Sequence, residues 1–347
     1  MPHLRIARTA AADLLGTGVY EQQVLARAAA ALPAGWTTSE AVVRSLRSPL
    51  AGTHRLPMAQ VARAPVAARR AVGRAIHPGN AVVHRMNLEL PPAPVDVITL
   101  HDVVAWKYPD ESPPVPAAAQ EIRRAAAVIC VSHFSASEAV DLLGIEDPHV
   151  IHHGVDPRFL DAAPASAEAL ALLGITRPFV MTTGGASERK NLAGLAHAWP
   201  AVHRARPDLT LVLTGPPHPC RQALFAHQPG VILTGMVAVD LMPGLMAAAE
   251  AVIVPSLYEG FGFPALEGMA VGTTVVAAAT SSLPEVVGDG ALLVEPDSTS
   301  LAQGIIDATS NDPEVATIAA RGRRRAAHLT WERSLAQHAA VWASLAG

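Results

Sequence analysis

The sequence predicts an α/β protein of two domains, each a parallel sheet covered by helices. Three observations carry that expectation. Short apolar, β-branched runs recur in both halves, end at glycine or proline, and lead into helical stretches, the order that builds parallel strands joined by crossover helices. The chain has 347 residues, enough for two domains of ordinary size, and an Ala/Pro-rich stretch over about 161–178 supplies a boundary. Hydrophobic residues make up 50% and charged residues 16%, which fits a substantial core and leaves no tract that reads as disordered.

Composition also excludes several functions. A net charge of −4 offers no basic excess for nucleic acid. Cys130 and Cys220 are the only cysteines and lack paired spacing, which argues against a disulfide framework or a cysteine zinc site and fits a reducing compartment. The opening MPHLRIARTAAADLLG carries Arg5, Arg8 and Asp13 without a long apolar core, so neither a signal peptide nor a membrane span is expected there and a cytoplasmic protein is. No Asp-x-Asp pair that would hold Mg²⁺ or Mn²⁺ occurs, so no metal site is expected.

In the first half, residues 4–7 read as a strand, and Leu15-Gly16-Thr17-Gly18 forms a turn into an Ala-rich helix over 19–32, a geometry that suits phosphate. Residues 58–76 read as a helix broken near Pro65. Its Arg63, Arg69, Arg70 and Arg74 form a solvated basic face, with peripheral contact to anionic lipid as the alternative. A strand over 95–100 delivers His101 and Asp102 at its carboxyl end, where open α/β sheets bind ligands. Residues 125–131 repeat the buried-strand pattern, and Ser135-Ala136-Ser137-Glu138 reads as a capping box opening a helix. A last short strand over 150–153 precedes Gly154-Val155-Asp156.

The second half begins with a strand over 179–182, followed by Gly184-Gly185-Ala186-Ser187-Glu188-Arg189-Lys190-Asn191-Leu192 leading into a helix. Cations at a helix amino terminus are unfavourable unless an anion shares the site. Arginine and lysine together suit a diphosphate, the first through bidentate contacts and the second as a movable point charge. Strands over 209–213 and 231–233 end in Thr214-Gly215 and Thr234-Gly235, and a helix over 240–249 leads to a strand over 251–254 that stops at Pro255. The loop Tyr258-Glu259-Gly260-Phe261-Gly262-Phe263 follows, with Pro264 at a first helical position. Glu259 in this loop and Glu267 on the first helical turn place two carboxylates at one rim, and Gly260 and Gly262 admit close approach of a polyhydroxylated ligand. A strand over 275–278, the turn Ser281-Ser282-Leu283-Pro284-Glu285 and a closing helix over 330–345 complete the chain.

Two glutamates with seven residues between them, in EGFGFPALE, closely resemble the EGFG…E signature of retaining glycosyltransferases with the two-domain GT-B fold, the family usually called family 4. TLHDVVAWKYPD resembles the HD…YP segment of its bacterial members, VSHFSASEA its VSxFS segment, and GGASERKN its GxxxxRKN segment. The loop at Gly16 and Gly18 resembles its TGxG loop more loosely, since Tyr20 and Glu21 stand where Gly and Arg are common. The resemblance implies two Rossmann-like domains facing each other across a cleft: 1–160 binding acceptor, 161–329 binding donor, and 330–347 a helix crossing back onto the first domain.

It also implies roles. Glu267 would hold the ribose hydroxyls of a nucleotide sugar, Glu259, Gly260, Phe261 and Gly262 the transferred sugar, and His101 the region near the reacting carbon. Lys190 would bind the diphosphate from the turn opened by Gly184, with Arg189 supplying the arginine that the family often carries where this chain has Gly185. Gly235, Met236 and Val237 would lie under the base, and Gly16 and Gly18 would approach the diphosphate from the first domain. The implied activity is retaining transfer of a hexose from a nucleotide-diphosphate sugar to a hydroxyl of a saccharide, glycolipid or natural-product acceptor, without metal or cofactor. By analogy the HD…YP segment leans toward mannosyl or rhamnosyl transfer. The same fold admits a pseudo-glycosyltransferase, a phosphorylase, an epimerase or a non-catalytic nucleotide-sugar-binding subunit. A glycosidase with one carboxylate as nucleophile is disfavoured, because ribose binding would occupy Glu267.

Overall fold

The computed structural model describes residues 1–10, 17–77, 79–176 and 178–346. They form two compact units, Met1–Gly154 with Trp331–Gly347, and Val155–Thr330. Among the described residues no helix is long and apolar enough to cross a membrane.

The first unit contains strands β1 (His3–Thr9), β2 (Thr37–Ser45), β3 (His54–Leu56), β4 (Val82–Arg85), β5 (Val95–Leu100), β6 (Ala127–Cys130) and β7 (His149–Val150). They lie in the order β3-β2-β1-β4-β5-β6-β7 with every pairing parallel. Helices cover both faces of such a sheet, so its central strands are apolar at successive positions: Val97, Ile98 and Ile129 are all fully buried. The closing helix, Trp331–Ser344, belongs to this unit, and its His338 Nε2 lies 2.9 Å from the hydroxyl of Tyr20 on the helix Thr17–Ala31.

The second unit contains β8 (Phe179–Thr183), β9 (Thr210–Thr214), β10 (Val231–Gly235), β11 (Ala251–Val254), β12 (Thr274–Ala278) and β13 (Leu292–Val294), in the order β10-β9-β8-β11-β12-β13 and again all parallel. Its core packs Leu195, Trp199 and Val202 of the helix Leu192–Ala205 with Leu211, Leu213 and Ile253 of the sheet and with Leu301 and Ile305 of the helix Ser298–Ala308. Strand order reverses between β8 and β11. Crossovers leave that point toward opposite sides and open a crevice at the carboxyl ends of these two strands. The turns after β8 and β9 touch there: Gly215 has φ 130, and a Cβ on it would lie 2.1 Å from the Gly184 carbonyl oxygen. Only glycine fits both conditions.

Two expectations from the sequence are corrected here. The break at Pro65 is present, between helices Met58–Arg63 and Val66–Ile76, and Arg63 and Arg74 are exposed. Arg69, however, is fully buried. It donates to Glu121 at 2.6 Å and to the carbonyls of Val61, Leu88, Glu89 and Leu90. Arg85 of β4 shares Glu121 at 3.0 Å and pairs with Asp96 at 2.9 Å. The second correction concerns the helix His133–Leu143, whose N-cap is Ser132 rather than Ser135: the Ser132 hydroxyl accepts from the Ser135 amide at 3.0 Å.

Replacing Glu121 by leucine would leave two buried guanidinium groups short of their shared anion. We expect Glu121→Leu to destabilise the protein by about 3–5 kcal/mol, the range for breaking a buried ion pair, read from urea unfolding. An unchanged midpoint would show that the network contributes nothing.

Candidate functional site

The crevice between β8 and β11 is built by side chains that tie the two following loops together. After β8 the backbone passes through Gly184, at φ 126, a single 3₁₀ turn, Glu188–Lys190, and Asn191, at φ 51. The Asn191 amide nitrogen donates to the carbonyls of Pro255 at 3.0 Å and Pro296 at 2.8 Å, while its oxygen caps the next helix through the Gly194 amide at 3.2 Å. The Leu257 amide donates to the Arg189 carbonyl at 2.7 Å. These bonds set Lys190 and Arg189 opposite the loop after β11.

Lys190 Nζ lies 2.6 Å from Glu259 Oε1, Arg189 donates to Oε2 at 3.4 Å, and the Ser256 hydroxyl donates to Oε1 at 2.7 Å. Glu259 is 6% exposed. Burial alone would raise its carboxyl, but Lys190, Arg189 and the hydrogen bonds from Lys190 and Ser256 outweigh burial and hold it below the ordinary range. It is therefore an ionised carboxylate. Its loop is fixed from below by two serines: Ser281 Oγ accepts from the Glu259 amide at 3.0 Å, and Ser282 Oγ donates to the carbonyls of Glu259 and Phe261, each at 2.9 Å.

Gly262, at φ 101, starts the helix Phe263–Ala270, with Pro264 in its first turn. Glu267 is the fifth residue of that helix and so opens the second turn, not the first. It also differs from Glu259 in charge. Burial, and then the neighbouring Asp156, push its carboxyl up to about 8, with Arg158 offsetting part of the rise. Asp156 caps the short helix Pro157–Leu160 through the Arg158 amide at 2.9 Å and binds the Arg158 guanidinium at 3.0 Å, and Arg158 reaches on to Asp240 at 2.8 Å.

Of the remaining predicted donor residues, Gly235, Met236 and Val237 lie at the end of a strand of the same sheet. Gly235 ends β10 at φ 72 and its carbonyl accepts from the Gly215 amide at 3.0 Å. Met236 beyond it is 52% exposed, whereas Val237 is buried. Gly260 and Phe261 are buried, the Phe261 ring meeting Phe263 edge-on at 5.7 Å. In the first unit Gly18 lies in the helix Thr17–Ala31, and Gly16 is outside the described residues. His101 follows β5, its ring 4.9 Å from Tyr20 and 5.4 Å from His153 between centroids. Its Nε2 is buried and has no hydrogen-bond partner. Burial and His338 push His101 down to about 4, so its ring is neutral at physiological pH. Ser135 Oγ donates to the His101 carbonyl at 3.1 Å and Asp102 accepts from the Val104 amide at 3.1 Å, which fixes the loop.

Ser256 and Arg158 carry part of this geometry without having been singled out from sequence, whereas Asn191, Ser281 and Ser282 stood in runs that the sequence marked as turns but without a role for any of the three. Among the described residues no group of three or more His, Cys, Asp or Glu side chains is placed to hold a metal ion.

Residues 177–311 match the family described as Glycosyl transferases group 1, so the second unit carries a domain of that family. The chain is 29% identical over 263 residues to the O-antigen chain mannosyltransferase B of Escherichia coli, covering 70% of this chain and 68% of the relative. It is 32% identical over 229 residues to an MMP alpha-(1->4)-mannosyltransferase of Mycolicibacterium hassiacum, covering 62% of this chain and 53% of the relative. It is 34% identical over 197 residues to the alpha-maltose-1-phosphate synthase of Mycolicibacterium smegmatis, covering 51% and 50%. The chain thus spans about two thirds of the first relative and about half of the other two. Among solved structures, sucrose-phosphate synthase from Thermosynechococcus elongatus superposes with TM-score 0.75 at 22% identity over 99% of both chains. Anabaena HepE in complex with UDP and glucose superposes with TM-score 0.73 at 20% identity over 99% of this chain and 100% of its own. At these identities the likeness shows the fold: two Rossmann-like domains of the GT-B type.

The raised Glu267 carboxyl sets a pH dependence whose sign can be worked out. Its ordinary value is 4.5, so between about 4.5 and 8 the folded protein retains a proton that the unfolded chain releases, and stability falls as pH rises through that window. The buried His77, His101 and His338, held down to about 4 from 6.5, act oppositely: the stability they contribute is present above 6.5 and lost as pH falls toward 4. Between pH 6.5 and 8 the histidine contribution is still rising and then levels off, equally in both proteins, so the wild-type unfolding midpoint should fall with pH relative to that of Glu267→Gln. Identical slopes in the two proteins would remove that proton from Glu267.

Proposed function

We propose that this chain, whose second unit carries a glycosyl transferases group 1 domain, is a retaining glycosyltransferase that moves a hexose from a nucleotide-diphosphate sugar to a hydroxyl of a saccharide, glycolipid or natural-product acceptor without a metal. The observation that carries this reading is the meeting of Lys190 and Arg189 with Glu259 at the β8/β11 switch point. Two cations and a carboxylate at the carboxyl ends of parallel strands combine a diphosphate site with a hydroxyl acceptor. The mannosyltransferases among the relatives favour a mannose donor. HepE, solved in complex with UDP and glucose and with UDP-glucose, supports a nucleotide-sugar donor.

In this mechanism the acceptor oxygen bonds to the anomeric carbon on the face the diphosphate leaves, the bond from that carbon to the diphosphate oxygen breaks, and the acceptor proton passes to the departing phosphate oxygen. The products are a glycoside of retained configuration and a nucleoside diphosphate. Lys190 and Arg189 neutralise charge growing on the leaving group, which is the step where fixed cations count most. Glu259 accepts hydrogen bonds from the transferred sugar, Glu267 binds the ribose hydroxyls, and Gly235, Met236 and Val237 underlie the base. The first unit serves the acceptor, with His101 as a neutral ring that contacts sugar. No side chain forms a covalent intermediate.

Thermal unfolding with UDP, GDP, ADP and dTDP, each with and without EDTA, tests the reading on wild type and Glu267→Ala. A ligand held only by the folded state at a hundred times its Kd stabilises by about 2.7 kcal/mol, so a bound nucleotide should raise the midpoint by several degrees. One base should do so in wild type, irrespective of EDTA, with the shift lost in the variant. No shift with any nucleotide would sink the transferase assignment, and a shift abolished by EDTA would sink metal independence.

A further inference from the structure

Arg221 lies in the helix Pro219–Phe225 that follows β9, and it is 4% exposed. Its guanidinium donates to the carbonyls of Gly184, of Gly185 at 3.1 Å and of Pro216 at 3.2 Å. Among the described residues no carboxylate pairs with it. Carbonyl groups satisfy N–H donors but carry no formal charge, so the guanidinium keeps its full positive charge in a buried setting, an arrangement that ordinarily calls for an anion. The other deeply buried arginines of this chain, Arg69 and Arg85, both have one.

Two further features point to what balances that charge. Arg221 Nε and Thr214 Oγ1 are buried and have no hydrogen-bond partner. Both residues line the cavity that Lys190, Ser256 and Glu259 also line. Arg189 and Lys190 meet Glu259 at this crevice, whereas Arg221 behind them meets only carbonyl oxygens. The loop is shaped around the guanidinium as well: a Cβ on Gly215 would come within 3.1 Å of Arg221 Nη1 and 2.1 Å of the Gly184 oxygen.

We propose that Arg221 is a positioning residue for a diphosphate: it holds the Gly184–Gly185 turn by its carbonyls and sets an uncompensated positive charge behind Lys190 that only a bound polyanion matches. The inference rests on the donor-site reading given above. It assigns to the turn after β9 a part in selecting the diphosphate over the nucleoside that bears it.

Calorimetric titration of UDP, GDP and ADP, and of uridine, guanosine and adenosine, into wild type, Arg221→Gln and Arg221→Lys tests this, alongside thermal unfolding of each ligand-free protein. In Arg221→Gln the diphosphate that binds wild type should bind about tenfold more weakly, the scale of one screened charge interaction, with affinity for its nucleoside unchanged. Arg221→Lys should recover most of that loss. Equal losses for diphosphate and nucleoside, no loss for either, or a lysine variant as weak as the glutamine variant would each overturn the proposal. If Arg221→Gln does not fold, Arg221→Lys against wild type decides alone: a preserved preference for diphosphate supports the role of charge, and a lost preference rejects it. Wild type that binds none of the three diphosphates would overturn the donor reading, and this inference with it.

Discussion

A carboxylate as buried as Glu259 is tolerable only beside a cation, and the sheet of the second unit supplies that cation from another strand. The pair exists because winding reverses between β8 and β11, which brings the ends of two strands together whose helices depart in opposite directions. Everything around it maintains that meeting. Asn191 ties the turn after β8 to Pro255 and Pro296, and Ser281 and Ser282 hold the backbone from Glu259 to Phe261. A site whose charged groups are fixed before a ligand arrives loses little to reorganisation when charge develops there, which is the condition for electrostatic catalysis.

The two units bury arginine in contrasting ways, and the contrast separates scaffolding from chemistry. In the first, Arg69 and Arg85 face Glu121 and Asp96, so charge closes within the network, and Arg69 holds the loop after β4 by donating to the carbonyls of Leu88, Glu89 and Leu90. Nothing is left for a ligand. In the second, Lys190 and Arg189 meet Glu259 at the carboxyl ends of β8 and β11, while Arg221, after β9, is met only by the carbonyls of Gly184, Gly185 and Pro216. Balanced burial stabilises a shape, and on the proposed reading the guanidinium without a carboxylate serves a bound anion.

How much of this the sequence disclosed follows from how local each signal is. Val95–Leu100 and Ala251–Val254 were readable to the residue, because strands buried on both faces are continuous apolar runs bounded by turns. The break at Pro65 was readable because proline acts on its own backbone. β4 was not, since two of its four residues, His84 and Arg85, are polar and their burial depends on Thr99, Asp96 and Glu121, distant in sequence. Arg69 was misplaced on a solvated face for the same reason. In the candidate site, Glu259 and Glu267 were singled out by their spacing and Lys190 as a cation at a helix start, but Arg221 has no local signature at all: its meaning lies in carbonyls 36 and 37 residues away.

Glu259 and Glu267 are the same residue type, on adjoining turns of one loop and helix, yet their environments separate them. Glu259 has cations close enough to outweigh desolvation, while Glu267 has desolvation reinforced by Asp156 and only partly relieved by Arg158. An ionised carboxylate can only accept hydrogen bonds, but a protonated one both donates and accepts. Glu267 can therefore engage a hydroxyl pair without bringing a formal charge toward a polyanionic ligand, whereas the charge of Glu259 is already matched by Lys190 and Arg189. Of these two carboxylates, the ionised one is thus matched by cations and the other holds its proton at neutral pH.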